Sequence, residues 1–239
     1  MKKPTVSLVI PAYNEEKYIS SCLRHALNQS GAFFEIIVVD NASMDATAAI
    51  AEKFSGVRVV REERKGLTRA RQRGFLEARG DIVAYVDADT RMPAGWSESI
   101  FREFSADAKL ACLSGPYYYY DVSRWQKLLV WLYWYLLALP AYWFLGYMTV
   151  GGNFAIRRNV LAKMNGFDTS IEFYGEDTDI ARRAHWFGRV KFSLRFVMPA
   201  SGRRLTGQGI VYTGIIYVLN FISEVLFKKP VTKKYSDVR

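Results

Sequence analysis

Cysteine and histidine are scarce in this chain, two of each in 239 residues. Cys22 and Cys112 have neither CxxC spacing nor a nearby histidine, which speaks against a metal cluster and suits reduced thiols in a cytosol-facing protein. The turn after the first apolar run reads "PAYNEE" and holds no glycine, and no GxxxxGK[ST] occurs. A hydride-transferring dinucleotide enzyme and a P-loop nucleotidase are therefore set aside. Lys2 and Lys3 precede no apolar run before the first polar turn, so no secretory signal is expected. No internal repeat or low-complexity linker is seen. Acidic residues are outnumbered, 23 against 33 basic, for a formal net charge of +10. Such an excess favours an anionic partner, lipid or phosphorylated substrate. No basic block accompanies a nucleic-acid motif, so nucleic acid is not expected.

Half of the residues are apolar, enough core for one large domain or two small ones. "TVSLVI" (5–10), "FEIIVVD" (34–40), "VRVV" (57–60) and "DIVAYVDA" (81–88) read as buried strands. Helical patterns at 15–29, 46–54 and 67–78 separate them. This alternation predicts an α/β fold, a mostly parallel sheet flanked by helices. A helix near 94–106, a strand near 110–114, a helix near 159–164, another within 174–188 and a strand near 190–196 are expected further on.

In open parallel sheets ligands bind beyond the carboxyl ends of the strands. Four polar stretches fall there or on the following helix: "PAYNEE" (11–16), "VVDNASMDAT" from 38, "GLTRARQRG" (66–74) and the "DAD" of 87–89. Asp87 and Asp89 point the same way if strand geometry continues. Two such carboxylates can hold a hard divalent cation that in turn binds phosphate oxygens.

These stretches, followed by "GGNFAIRR" (151–158) and "GEDTDIARR" (175–183), resemble in order the motif series of family 2 glycosyltransferases, which have the GT-A fold. Each element alone is common; six in this order are specific. The resemblance implies inverting transfer of a sugar from a nucleotide-diphosphate sugar, with UDP or GDP as the nucleotide and Mg²⁺ or Mn²⁺ as the metal. It places Pro11, Tyr13 and Glu15 on the donor's base and ribose. Asp40 falls on the base or ribose, Arg71 near the nucleotide, and Asp87 and Asp89 on the metal. Asp177 matches the general base. Gly151, Gly152 and Asn153 match a loop at the reacting sugar and acceptor, with Arg183 as an assisting cation on that side. Asn41, Ala42 and Gln72 depart from the family's usual residues without removing a catalytic group. The absence of QxxRW after "GED" argues against a processive synthase. Glu176 and Asp179 read as acids that suit a helix N-terminus, and the lone His185 as structural rather than a ligand. "YYYY" (117–120) reads as a sugar-stacking surface or a half-buried strand. A sugar-nucleotide nucleotidyltransferase would need a glycine-rich basic first loop. A membrane-binding homologue without catalysis would not need Asp87, Asp89 and Asp177.

"LLVWLYWYLLALPAYWFLGYM" (128–148) carries no charge. Crossing a bilayer once would separate Asp87 from Asp177, and crossing twice needs roughly 40 residues. Pro140 is expected to break the run, leaving a buried core or an interfacial hairpin. Its tryptophans and tyrosines suit the interface, and Arg124 and Lys127 suit headgroups. In the tail, Thr213, Tyr217, Asn220 and Glu224 form a polar stripe on an apolar helix (210–227), preceded by Arg203 and Arg204 and followed by Lys228, Lys229, Lys233 and Lys234. That pattern suits a helix in the headgroup region; spanning stays open for this segment. The expected layout is a glycosyltransferase domain over 1–200, with a donor half at 1–115 and an acceptor half at 149–200. An interfacial insertion occupies 124–148, and a membrane-associated helix with basic tail occupies 201–239. The implied acceptor is a lipid-linked or membrane-proximal glycan with a hydroxyl or phosphate, reached from the cytoplasmic face of the membrane.

Overall fold

The computed structural model describes residues 3–232; Lys2, Lys233 and Lys234 lie outside the described residues. The first half alternates as expected: β1 (Val6–Ala12), α1 (Ile19–Leu27), β2 (Glu35–Asp40), α2 (Thr47–Ala51), β3 (Val57–Arg61), α3 (Leu67–Glu77), β4 (Ile82–Val86), α4 (Trp96–Ala106) and β5 (Leu110–Ser114). There follow β6 (Tyr117–Tyr119), α5 (Arg124–Tyr133), a π-turn (Trp134–Ala138) and α6 (Leu139–Leu145). The chain continues through β7 (Asn153–Arg157), α7 (Arg158–Lys163), α8 (Glu176–His185), β8 (Arg189–Phe192), β9 (Met198–Ala200), α9 (Arg203–Gln208) and α10 (Ile210–Phe227).

The main sheet has the order β3-β2-β1-β4-β7-β5-β8. Both faces are covered, which is why its strands read as unbroken apolar runs. Val6, Leu8 and Ile10 of β1 join one core with α1 and α4, while Val9 joins a second core with Ala70 of α3 and Ile180 of α8. Only β7 runs against its neighbours. Its reversal sets Asn153 opposite Val86, so the "GGN" loop arrives at the carboxyl end of β4, where Asp87 begins. The expected strand at 190–196 stops at Phe192. The chain turns there, with Phe196 N–H donating to Ser193 O at 3.0 Å, and enters β9, which pairs with β6 in a small second sheet.

Pro140 does not break the apolar segment. Arg124–Leu145 is one rod of 22 residues. At the π-turn Leu139 N–H reaches Trp134 O, five residues back. This widened turn accommodates the proline ring and its missing N–H at the second position of α6. The core and hairpin expectations both fail here. Trp125, Trp131, Trp143 and Phe144 are exposed, Phe144 by 89%. The inner face of the rod, Trp134 and Tyr142, packs on Phe192.

The polar stripe of α10 also lies opposite to expectation. Thr213, Asn220 and Glu224 are buried, and Glu224 pairs with Arg182 of α8 at 3.4 Å. Val211, Ile215, Leu219, Ile222, Leu226 and Phe227 face outward. Glu224 has its partner on α8, and Asn220 donates to Ile216 O and Thr232 Oγ1 (2.8 and 2.9 Å).

Gly74 brings α3 onto the sheet, and a Cβ there would overlap Val9 Cγ1. Gly74→Ala should therefore overpack this contact by about 1–3 kcal/mol, more than the roughly 0.5–1 kcal/mol gained in helix propensity. A lower urea midpoint is expected; an unchanged or higher one would show that the contact yields.

Candidate active site

The carboxyl edges of β1, β2 and β4 carry the first group of assigned residues. Pro11 is buried within β1, in register with Val39. Tyr13 carries the Lys65 ammonium over its ring at 3.9 Å. Asp40 is buried at the end of β2 and accepts from Ser43 N–H at 3.2 Å. Asn41 donates to Glu62 O and Arg64 O (3.2 and 2.9 Å) and accepts from Gly66 N–H at 2.8 Å. An aspartate could not donate those two bonds at neutral pH, so the departure at this position ties down the loop leading into α3.

Arg71, on α3, is 1% exposed. Its guanidinium pairs with Asp87 at 3.3 Å and with Glu176 at the start of α8. Burial works against its charge, but Glu176 and Asp87 more than offset that and hold it protonated. Asp87 accepts a second bond from Tyr117 OH at 2.7 Å. Gly151 and Gly152 are required by these contacts. A Cβ on the first would overlap Glu176 Oε1, and one on the second would overlap Tyr117 OH and the Asp87 carboxylate. Asp177 follows Glu176 in the first turn of α8. Burial pushes its carboxyl up, against the Thr178 N–H bond at 2.8 Å and the field of Arg71.

A cavity of about 570 Å³ joins these groups. Its polar end holds Arg71, Asp87, Gly151, Gly152, Glu176 and Asp177; its walls come from α5, the π-turn and α10, and include the exposed Leu137, Val211, Ile215 and Leu219. Asp89 is not in this lining. β4 ends at Val86 and residues 88–89 lie in a turn, so the strand-parity argument for Asp87 and Asp89 does not apply. The turn still keeps the two acids within electrostatic reach: burial raises Asp89 to about 7, Arg203 opposes the rise, and Asp87 and Glu15 add to it.

The profile of the family described as "Glycosyl transferase family 2" matches residues 7–164, more than half of the chain. This chain is a family 2 glycosyltransferase. The putative glycosyltransferase EpsH of Bacillus subtilis strain 168 is 36% identical over 106 residues, covering 43% of this chain and 31% of that relative. Each of the first curated relatives matched is covered over less than half its length. Two solved structures share the GT-A fold. One is the mannosyltransferase PcManGT of Pyrobaculum calidifontis in complex with GDP-Man and Mn²⁺, with TM-score 0.65, 22% identity and coverage of 90% of this chain and 65% of that one. The other is S. aureus TarS 1–349 in complex with UDP-GlcNAc, with TM-score 0.68, 18% identity and coverage of 93% and 73%.

Several assignments of this family 2 glycosyltransferase are corrected by the geometry. Glu15 faces Arg203, which donates to both its oxygens at 2.9 and 2.5 Å and also lies 3.1 Å from Asp89. Arg203 is thus turned to these two acids, where a headgroup contact was expected. Asn153 is fully buried. It donates to the carbonyls of Gly115, Pro116 and Phe196 and accepts from Trp96 Nε1, so it holds the edge together and leaves no group for an acceptor. Arg183 is turned to Asp179 at 2.7 Å and to the carbonyls of Met164 and Gly166, pinning the loop before α8. His185 lies against Tyr147. Glu176, read as a helix-start acid, is a partner of Arg71, and Tyr117 is the bound neighbour of Asp87. Neither role leaves a mark in spacing.

Asp87 and Asp89 are the residues that would hold a divalent cation: both carboxylates already face positive charge, Asp87 from Arg71 at 3.3 Å and Asp89 from Arg203 at 3.1 Å. Among the described residues no three His, Cys, Asp or Glu side chains converge as a full metal cage, so these two would supply part of a coordination shell.

Burial raises Glu176 from the ordinary glutamate range to about 7, against the pull of Arg71. The folded chain then binds more protons than the unfolded chain between about pH 4.5 and 7, and stability falls as pH rises through that window. A higher urea midpoint at pH 5 than at pH 8 is expected, with Glu176→Gln flattening the difference. Equal slopes in both proteins would remove Glu176 as the source.

Proposed function

We propose that this chain transfers a sugar, with inversion, from a UDP- or GDP-sugar to a membrane-held acceptor. The observation that carries this reading is the cavity running between two outward-apolar helices and ending at Asp177 and Asp87. A hydrocarbon chain suits its walls, and a reacting head group suits its polar end. The nucleotide-sugar complexes of the two structural neighbours support the donor class.

In this reading residues 1–115 hold the donor and residues 149–200 supply the acceptor side. Asp177, carried by the rigid start of α8, takes the proton of the attacking group. Asp87 and Asp89 would hold Mg²⁺ or Mn²⁺, which would supply positive charge to the leaving diphosphate. Arg71 keeps Asp87 and Glu176 in place, and the two glycines let the sugar approach them. Arg124–Leu145 and Ile210–Phe227 are both long and apolar enough to cross a membrane, by length and composition. Their exposed aromatic and aliphatic faces support a peripheral seat on the cytoplasmic leaflet, because one site drawn from both sides of 124–145 excludes a single crossing there.

Asp177→Asn should lower transfer by about 10²–10⁴ and leave donor affinity near wild type by calorimetry; wild-type turnover would move the base elsewhere. Asp89→Ala should lose the Mn²⁺-dependent part of UDP or GDP binding, and unchanged affinity would sink the metal assignment.

Membrane seating is checked by flotation with vesicles containing anionic phosphatidylglycerol. Binding should persist in 1 M salt, where screening acts within about 3 Å. Replacing the outward Trp131 and Trp143 with Ser should reduce this salt-resistant fraction, whereas Trp134, which bonds Tyr117 O from the inner face, is left intact. Flotation lost entirely in salt would refute insertion.

A further inference from the structure

The charge balance of the cavity selects the head group of the acceptor, an inference that rests on the membrane-held acceptor proposed above. The lining holds one cation, Arg71, and three acids, Asp87, Glu176 and Asp177. Arg71 is already engaged with two of those acids. With Asp87 given to the metal, Glu176 and Asp177 are the acids left to face the acceptor. Arg204 stands behind the lining, over the Phe173 ring at 4.6 Å and donating to Tyr174 OH at 3.4 Å, both residues of the cavity wall. The second observation is independent of net charge. Glu176 is 6% exposed; its Oε1 is on Arg71, while its buried Oε2 has no hydrogen-bond partner, and neither has the Nε of Arg71. A buried acceptor and a buried donor in that state are both served by a hydroxyl, which donates and accepts.

A phosphate head group carries close to two negative charges near pH 7 and offers oxygens that accept. It would meet carboxylates, would leave Oε2 unsatisfied, and has no proton for Asp177 to remove. A hydroxylated head group meets all three conditions. We propose that the acceptor is an uncharged lipid with neighbouring hydroxyls on its head group, with Asp177 facing the hydroxyl that reacts and Glu176 Oε2 accepting from a second. In the transfer, the acceptor O–H bond breaks and its proton goes to the Asp177 carboxylate. The acceptor oxygen bonds to the sugar's anomeric carbon as the bond from that carbon to the diphosphate oxygen breaks, and the electron pair leaves with the nucleoside diphosphate. Glu176 is then a specificity-determining residue.

The test uses the full chain and three probes with the same twelve-carbon tail: dodecyl glucoside, monododecanoylglycerol and dodecyl phosphate. Each is measured by equilibrium dialysis below its micelle concentration. At least one neutral probe should bind ten-fold or more tightly than dodecyl phosphate, and the better of the two tells a sugar head from a glycerol head. Glu176→Gln should narrow the gap, because the amide removes a negative charge and adds donors; Asp177→Asn provides the same charge test with the Arg71 pair intact. Gly214→Trp is the control for location: Gly214 lines the cavity and a Cβ there meets nothing within 4 Å, so the indole should fill the tail site and weaken all three probes. Equal or tighter binding of dodecyl phosphate overturns the hydroxyl proposal and leaves the lipid-acceptor reading standing. Failure of Gly214→Trp to weaken any probe overturns both.

Discussion

One buried guanidinium joins the two parts of this site. Arg71 comes from α3, in the first half of the chain, and pairs with Asp87 at the end of β4 and Glu176 at the start of α8. Removing one member of such a cluster leaves uncompensated charge beside a guanidinium that is itself buried. The cluster therefore constrains everything around it. The reversed strand β7 must deliver its leading loop to the same point, and that loop must be glycine at 151 and 152, because side chains there would collide with Glu176 and Asp87. Asn153 then bonds three carbonyls and an indole to hold the edge to which the loop belongs.

A second constraint acts on the helices that wall the cavity. In a soluble domain an amphipathic helix turns its apolar stripe inward. Here α10 does the reverse: Thr213, Asn220 and Glu224 are inside, and a row of aliphatic residues is outside. Arg124–Leu145 likewise leaves tryptophans and Phe144 outward while its inner aromatics pack on Phe192. Exposed apolar area of this extent marks an interaction surface. The same helices line the cavity that ends at Asp177, so the surface and the chemistry are parts of one arrangement. Arg203, the first residue of α9, pairs with Glu15 and Asp89 and ties that helix to the loops after β1 and β4.

What the sequence determined by itself was local in origin. Strand and helix periods, strand ends rich in acids, and the ordered motifs from "PAYNEE" to "GEDTDIARR" were enough for an α/β sheet, its functional edge and the family. They also brought Asp87, Gly151, Gly152 and Asp177 into the expected neighbourhood, because each sits next to a strand end or at a helix start whose position the pattern defines, and Arg71 with them from the second turn of α3. The tertiary structure decided what depends on partners far apart in the chain. Glu15 and Arg203 stand 188 positions apart, and no spacing rule relates them. Arg183 and Asn153 carry the right residue types near the right motifs, yet their side chains are taken up by nearby acids and carbonyls. Whether the polar stripe of α10 met headgroups or protein rested on α8 presenting Arg182 to Glu224. Periodicity says that a helix has two faces; only packing says which one is inside.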